Sequence, residues 1–150
     1  MENKEIKDRL ILEIKKDIEI FLAEYNFKLV DIEIRNEKKS PILTIYVYSS
    51  EDMSVDRLAF LNKKISNGLL STINQEFIIE ISSPGINRVL KNIEEFEIFK
   101  EKEMKILTNE DQYIIGICKG ILSNNRLLIL SEGREIFIDI KNIKKAKLFG

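Results

Sequence analysis

Few side chains in this sequence could do chemistry, and their types limit what that chemistry is. The chain has no histidine and a single cysteine, Cys118. Metal sites built from His and Cys, and Ser-His-Asp or Cys-His catalysis, are therefore excluded within one chain. One cysteine cannot form an intrachain disulfide, and free cysteine is often buried. We expect Cys118 to be a small apolar residue in a strand of a protein from a reducing compartment.

Carboxylates are the remaining candidates for catalysis, and five of them cluster at Glu94, Glu95, Glu97, Glu101 and Glu103. Two carboxylates act as general acid and base when a pocket separates their pKa values. No pattern in the sequence predicts such a pocket, so we expect the cluster to be the solvated side of a short helix. The sequence thus predicts no catalytic residue, no metal site and no cofactor, and we expect a protein that is not an enzyme.

Residues 82–85 (SSPG) directly follow an apolar run and indicate a turn. Proline fixes φ at roughly −65° and glycine supplies a positive φ, which together are typical of a type II turn with Pro84 and Gly85 as its structural residues. The turn is either a rigid exit from a sheet or a shaped loop that binds a partner. In the second interpretation the binding residues are Ser82, Ser83, Arg88 and Lys91.

A second candidate binding set lies in IKNIKKAKLFG, which contains Lys141, Lys144, Lys145 and Lys147 and no acid. Lysines grouped in this way bind phosphates, and each contact adds affinity that falls with salt. The alternative is a solvated segment of a lysine-rich chain with its own packed face. The sequence leaves both open.

Composition and charge narrow the class of protein further. The chain has 150 residues, 44% of them hydrophobic, with 24 Lys+Arg against 25 Asp+Glu. This composition excludes a disordered chain, and a pI of about 5.7 argues against binding to nucleic acid through bulk positive charge. No apolar run reaches the roughly 18 residues of a membrane span, and the first residues contain no apolar signal segment. We therefore expect a soluble cytoplasmic chain with no membrane partner.

The periodicity of apolar residues predicts the elements that position these side chains in the first part of the chain. In order they are a helix over 6–25, strands over 30–35 and 42–48 joined as a hairpin by a turn at 36–41, a helix from Ser54 with apolar positions up to residue 73, and a strand over 77–81. This α-β-β-α-β order predicts a small sheet with helices on one face, similar to a KH domain. The six glycines include no GXXG pair, so the loop with which KH domains clamp nucleic acid is absent.

The second part of the chain is predicted to be almost entirely β. After a short helix whose apolar face includes Phe96 and Phe99, strands are predicted over 103–107, 113–122, 126–130 and 135–140. Gly116 and Gly120 indicate a bend or bulge inside a long strand. Short strands over so few residues favour a small SH3-like or Sm-like barrel. We expect an α+β protein with an N-terminal α/β domain over 1–90 and a β-barrel domain over 91–150.

The string ISSPGINRVLK at 81–91 resembles a signature of the bacterial ribosome maturation factor RimP family, approximately VSSPGLDRPLK followed by a helix ending F-x-x-F. The resemblance covers nearly the whole chain and includes YNFKLVDIEI, LTIYV and the closing NIKKAKL. The sequence departs from the family at four positions. They are Asn87, usually Asp; Val89, usually Pro; Tyr48, near a common Asp; and Glu101, often Gly.

The resemblance implies an SH3-like C-terminal barrel and a non-catalytic role in maturing the small (30S) ribosomal subunit. It also implies binding to the immature subunit, both its rRNA and the small-subunit ribosomal protein numbered twelve. We expect a monomer with no small-molecule substrate. The alternative is an Sm-like general single-stranded RNA-binding protein, for which the barrel offers the aromatic residues Tyr113, Phe137 and Phe149.

Overall fold

A computed structural model describes residues 2–36, 40–51, 53–71, 76–85 and 87–149. The fold is mixed α+β with two separate sheets, as expected. The chain divides into two compact units, Met1–Pro84 and Gly85–Gly150. The segment 85–90, expected to belong to the first domain, falls in the second unit because residues 88–90 pair with its last strand.

Among its described residues, the first unit contains two long helices and one three-stranded sheet. Its elements are α1 (Glu2–Glu24), β1 (Lys28–Asn36), β2 (Pro41–Tyr48), α2 (Val55–Lys64) and β3 (Ile78–Ser82). Strand β2 lies in the middle, antiparallel to β1 and parallel to β3. The predicted hairpin between β1 and β2 is confirmed, while residues 37–39 of its predicted turn lie outside the described part of the chain.

The core of the first unit forms where the helices cover one face of this sheet. Leu43, Ile45 and Val47 alternate along β2 and are fully buried, as the two-residue period predicts. They pack in one cluster with Ile18 of α1 and Leu61 of α2, both also fully buried. Each such side chain contributes about 1.5–3 kcal/mol by leaving water.

Helix α2 begins where the sequence predicts it. The Ser54 hydroxyl accepts a hydrogen bond from the backbone N–H of Arg57 at 3.2 Å, which is an N-cap. Val55 is apolar but lies in the first turn of α2 and faces solvent, so it does not join the core as the apolar pattern of this helix predicts. The helix continues as one π-helical turn over Ile65–Leu69, and the expected helical residue Ile73 lies outside the described residues.

In the part of the second unit that the structure describes, there are one short α-helix and a five-stranded antiparallel sheet. Its elements are α3 (Glu94–Ile98), β4 (Glu103–Thr108), β5 (Tyr113–Ile121), β6 (Arg126–Ser131), β7 (Arg134–Asp139), a 3-10 turn (Ile140–Asn142) and β8 (Ile143–Leu148). The strand order is β7-β6-β5-β4-β8. Four strands match the predicted ones within two residues, and the lysine-rich segment adds the fifth.

Glycine and turn residues shape this sheet largely as predicted. The pairing of β5 with β6 shifts between Cys118 and Gly120, where Gly120 has φ +100°, so the predicted bulge is confirmed. Asn125 has φ 59° in the turn that leads into β6, as a tight hairpin requires. At Gly116 the backbone of Leu130 approaches so closely that a Cβ would lie 2.5 Å from its carbonyl oxygen.

Candidate binding site

The structure brings lysines of both predicted binding sets to one region of the second unit. Lys91, Lys144 and Lys145 line a cleft of about 160 Å³. Lys141 lines an adjoining depression of about 460 Å³, which shares Ile93 and Ile140 with the first. We call this region, defined by Lys91, Lys141, Lys144 and Lys145, the lysine cleft.

Lys91 reaches the cleft because residues 88–90 are added to the free edge of β8. Val89 forms a bridge with Lys147, the Leu90 N–H donates to the Ala146 carbonyl at 2.8 Å, and the Leu148 N–H donates to the Arg88 carbonyl at 2.9 Å. Strand β8 therefore has β4 on one side and this segment on the other. This pairing fixes the position and direction of the backbone that leads to Lys91 at the cleft.

A buried ion pair holds the same segment to α3. The Arg88 Nε donates to Glu95 Oε1 at 2.6 Å, and these side chains are 10% and 1% exposed. The second oxygen, Oε2, accepts the backbone N–H of Lys91 at 2.9 Å. Glu95 thus holds the Arg88 side chain with one oxygen and the Lys91 backbone with the other, and it positions Lys91 without lining the cleft itself.

This pair corrects the expectation that the acidic cluster is entirely solvated. Glu94, Glu97, Glu101 and Glu103 are exposed, but Glu95 is fully buried. The sequence contains one signal, since Glu95 lies four residues before Phe99 and so shares a helix face with a core residue. Arg88, expected at a partner-facing loop, is likewise buried against Glu95, so its role in this structure is to position the segment.

The other lysines of the cleft are held by the sheet and its turns. The Asn109 side chain donates to the Lys141 carbonyl at 2.9 Å and fixes the 3-10 turn. Lys144 lies on β8 and forms an ion pair with Asp111 at 3.0 Å. Both partners are largely exposed, so the pair contributes about 0–1 kcal/mol and can exchange for a phosphate at small cost.

Besides Arg88, three of the predicted binding residues are not among the described residues that line the cleft. Lys147 lies on β8 directly opposite Lys105 of β4. Ser82 ends β3 in the first unit, and its hydroxyl donates a hydrogen bond to the Ser83 carbonyl at 3.2 Å. Ser83 is exposed, and Pro84 beside it is half-buried.

The type II turn predicted at Pro84 and Gly85 is wrong. Among the described residues the glycines with positive φ are Gly120 and Gly133, so Gly85 lacks the conformation that this turn requires. The hydrogen-bonded turn lies further along, where the Arg88 N–H donates to the Gly85 carbonyl at 3.1 Å. The pairing of residues 88–90 with β8 decides the local geometry.

Cys118 lies on β5 as predicted and is fully buried. Its thiol donates to the Phe96 carbonyl at 3.3 Å. Burial raises the pKa of the Cys118 thiol to about 11, since the thiolate would lose its hydration. The side chain therefore packs α3 against the sheet as a neutral thiol.

Metal sites and membrane spans are both absent from the described part of the chain. No three of its His, Cys, Asp or Glu side chains are grouped so that they could hold a metal ion. None of the helices in the described ranges is both long enough and apolar enough to span a membrane.

The second unit of this two-sheet α+β chain presents four lysines around a cleft, and grouped lysines can bind phosphate groups. A family model described as the RimP N-terminal domain matches residues 17–87. Ribosome maturation factor RimP of Borrelia recurrentis (strain A1) is 31% identical over 138 residues, which cover 92% of this chain and 93% of the relative. The protein of that name from Borrelia hermsii (strain HS1 / DAH) is 30% identical over 121 residues, or 81% and 83% of the two chains. The chain therefore belongs to the ribosome maturation factor RimP family.

Proposed function

We propose that this chain is a ribosome maturation factor that binds the immature small (30S) ribosomal subunit in the cytoplasm and performs no catalysis. The observation that carries the proposal is the match to RimP proteins over nearly the whole chain. Its partners would be rRNA and the small-subunit ribosomal protein numbered twelve. We propose that it acts as a monomer.

The lysine cleft supplies a physical basis for contact with rRNA. Four lysines on one region give a local positive charge in a chain whose formal net charge is −1. A local cationic site binds phosphates with an affinity that falls with salt. The near-zero net charge keeps non-specific attraction to RNA small, which suits a factor that must leave the subunit once it has matured.

The finer fold assignments form part of the same proposal. We propose that the second unit is an SH3-like barrel, supported by five antiparallel strands, the bulge at Gly120 and the 3-10 turn before β8. The first unit would be KH-like, supported by its α-β-β-α-β order. We propose that the two compact units are the two domains, with the boundary six residues before the one expected from the sequence.

Sedimentation of a bacterial lysate at low salt tests the function. A tagged full-length chain should migrate with free small subunits and their precursors and be absent from mature 70S ribosomes. In a bacterium lacking its own RimP, the chain should also restore the level of mature small subunits. Absence from every small-subunit fraction together with failure to restore them would refute the proposal.

The lysine cleft is tested by replacing Lys91, Lys141, Lys144 and Lys145 together with glutamine. We expect weaker binding to the small-subunit precursor and a flatter dependence of affinity on salt. The slope of log affinity against log salt should fall by roughly one for each phosphate that no longer meets a lysine. A matched control removes the same charge from the first unit at exposed helical lysines, namely Lys15, Lys16, Lys63 and Lys64. Equal effects of the two sets would show that only net charge matters.

The alternative, a general single-stranded RNA-binding protein, has one observation in its favour. Tyr113 and Phe137 are exposed on the second sheet, and each ring has a cation within 5.0 Å of its centroid, Lys105 and Arg126 respectively. Such a protein would bind unstructured RNA as tightly as it binds precursor subunits. A clear preference for the subunit would exclude it.

A further inference from the structure

The face of the second sheet that points away from its core carries a compact group of basic, aromatic and apolar residues. Across the strands, Lys105 lies between Lys147 of β8 and Ile115 of β5. The neighbouring row contains Lys145, Leu107 and Tyr113. Directly opposite residues of antiparallel strands share a face. We call this group the outer patch: Lys105, Leu107, Tyr113, Ile115, Lys145 and Lys147.

The charges of the outer patch are arranged unfavourably for the isolated protein. Lys105 and Lys147 are directly opposite each other, so their Cβ atoms are about 4.5–5.5 Å apart, and like charges in these positions destabilise a sheet. A bound anion between the two ammonium groups would remove this repulsion. Glu103 occupies the same face of β4 two positions earlier, so an anionic chain would run from Lys105 towards Lys145 and away from Glu103.

An aromatic ring supplies a second, independent feature. Tyr113 is 62% exposed, and the Lys105 Nζ lies 4.4 Å from its ring centroid. Ile115 beside it is 41% exposed. An exposed ring next to cations offers a surface on which a nucleic acid base can stack while the adjoining phosphate meets the lysines.

We propose that the outer patch binds a single-stranded RNA segment, with one base stacked on Tyr113 and the backbone phosphates between Lys105 and Lys147. This inference rests on the proposed function, because the immature subunit would supply the RNA. Lys145 belongs to both the outer patch and the lysine cleft, so a strand leaving the patch across β8 can continue into the cleft. An acidic peptide could neutralise the lysines, but it would gain nothing comparable from the ring.

Binding of the full-length chain to a fluorescein-labelled twelve-nucleotide oligouridylate, followed by fluorescence anisotropy, tests the proposal. Tyr113→Ala should weaken binding about tenfold, equivalent to about 1.4 kcal/mol, whereas Tyr113→Phe keeps the ring and should stay within about twofold of the wild type. The Lys105→Gln and Lys147→Gln double variant should lower the slope of log affinity against log salt by about 1.4. Lys119→Gln removes one charge from the far part of β5, where Lys119 pairs with Glu101, and should leave the affinity within about twofold of the wild type.

Equal affinities of Tyr113→Ala and the wild type would overturn the proposal. Displacement of the oligonucleotide by polyglutamate, equally from the wild type and from Tyr113→Ala, would indicate an acidic peptide site and overturn it too. Sedimentation separates this result from the proposed function. If the wild type co-sediments with small subunits but Tyr113→Ala binds the oligonucleotide normally, the proposal for the outer patch is refuted and the proposed function stands. If Tyr113→Ala no longer binds the oligonucleotide and the wild type does not co-sediment with small subunits, the proposal for the outer patch stands and the proposed function is refuted.

Discussion

Replacing Glu95 with glutamine tests whether the buried ion pair with Arg88 holds the segment that enters the lysine cleft. Glutamine has nearly the same shape, and its amide oxygen can still accept the Lys91 N–H. The change removes the negative charge from a carboxylate that is 1% exposed and lies 2.6 Å from Arg88 Nε. The guanidinium is then left largely buried without this carboxylate.

The expected cost follows from that burial. Removing one partner of a buried ion pair costs about 3–5 kcal/mol. Arg88 is 10% exposed and glutamine keeps one hydrogen bond, so we expect the lower end, about 3 kcal/mol. For a unit of this size, 1 kcal/mol lowers Tm by roughly 4–8 °C, which gives a fall of roughly 12–24 °C for the second unit.

The assay must report on each unit separately, and the tyrosines allow this. The chain has four tyrosines and no tryptophan. Tyr113 is the only one in the sequence of residues 85–150, and the other three belong to the first unit. Labelling with fluorotyrosine and following the fluorine resonances through a urea titration gives one unfolding curve for each unit. Glu95→Gln should shift the Tyr113 curve and leave the other curves in place.

Two comparisons make the result decisive. Glu94→Gln changes the exposed neighbour on the same helix and should alter stability by less than about 0.5 kcal/mol. Arg88→Met combined with Glu95→Gln should be about 2 kcal/mol less destabilised than the sum of the single variants, because neither charge then lacks its partner. A loss below about 1 kcal/mol for Glu95→Gln, or full additivity in the cycle, would refute the structural role given to the pair.

Three further predictions concern residues outside the cleft. Gly116→Ala should lower the free energy of unfolding in urea by about 1–3 kcal/mol, because the new Cβ would lie 2.5 Å from the Leu130 carbonyl oxygen. Gly68→Ala is the control, since a Cβ at Gly68 would meet open space. Equal effects of the two substitutions would contradict this account. Glu101→Gly should stabilise the second unit by about 1 kcal/mol, because Glu101 has φ 74°, and a loss of stability would count against that reason. Burial raises the pKa of the Cys118 thiol to about 11, so its reaction with a disulfide reagent at pH 8 should be no faster than the unfolding of the second unit. Rapid labelling of the native chain would contradict this prediction, because it would show that the thiol is accessible.

Elements that bury one face regularly could be predicted from sequence because burial repeats with the period of the backbone. The alternation along β2 places Leu43, Ile45 and Val47 in the core correctly. Glu101, one of the four departures from the RimP signature noted above, has φ 74°, a backbone conformation that glycine adopts more readily than glutamate. Along β2, in contrast to Glu101, the local sequence and the local geometry agree.

The predictions that failed depend on pairing between distant residues. Lys144 and Lys145 fall next to each other before Ala146, so β8 shows no clear two-residue alternation, and β4 and residues 88–90 define it as a strand. Glu95 has a common surface side chain, and its burial follows from Arg88 being fixed to β8. Gly85 is expected in a locally determined turn, but the same pairing sets its geometry. The sequence predicts the lysine cleft only as two separate sets of residues, because no sequence signal brings Lys91 beside Lys144.

The pairing of Val89 with Lys147 has a consequence for how the chain folds during its own synthesis. The two partners lie at opposite ends of the second unit's sequence, so residues 88–90 emerge long before the strand that fixes them has been made. Translation adds roughly 5–20 residues per second, so several seconds pass before β8 has been made. During this time Arg88 is not yet fixed beside Glu95, and the edge of β4 that later pairs with β8 is unpaired. The first unit can complete its own sheet in that interval, whereas the second gains its last strand only when residue 148 is free of the translating ribosome. Late completion makes the final strand the step at which a nascent chain of this protein is most open to misassembly with a second copy.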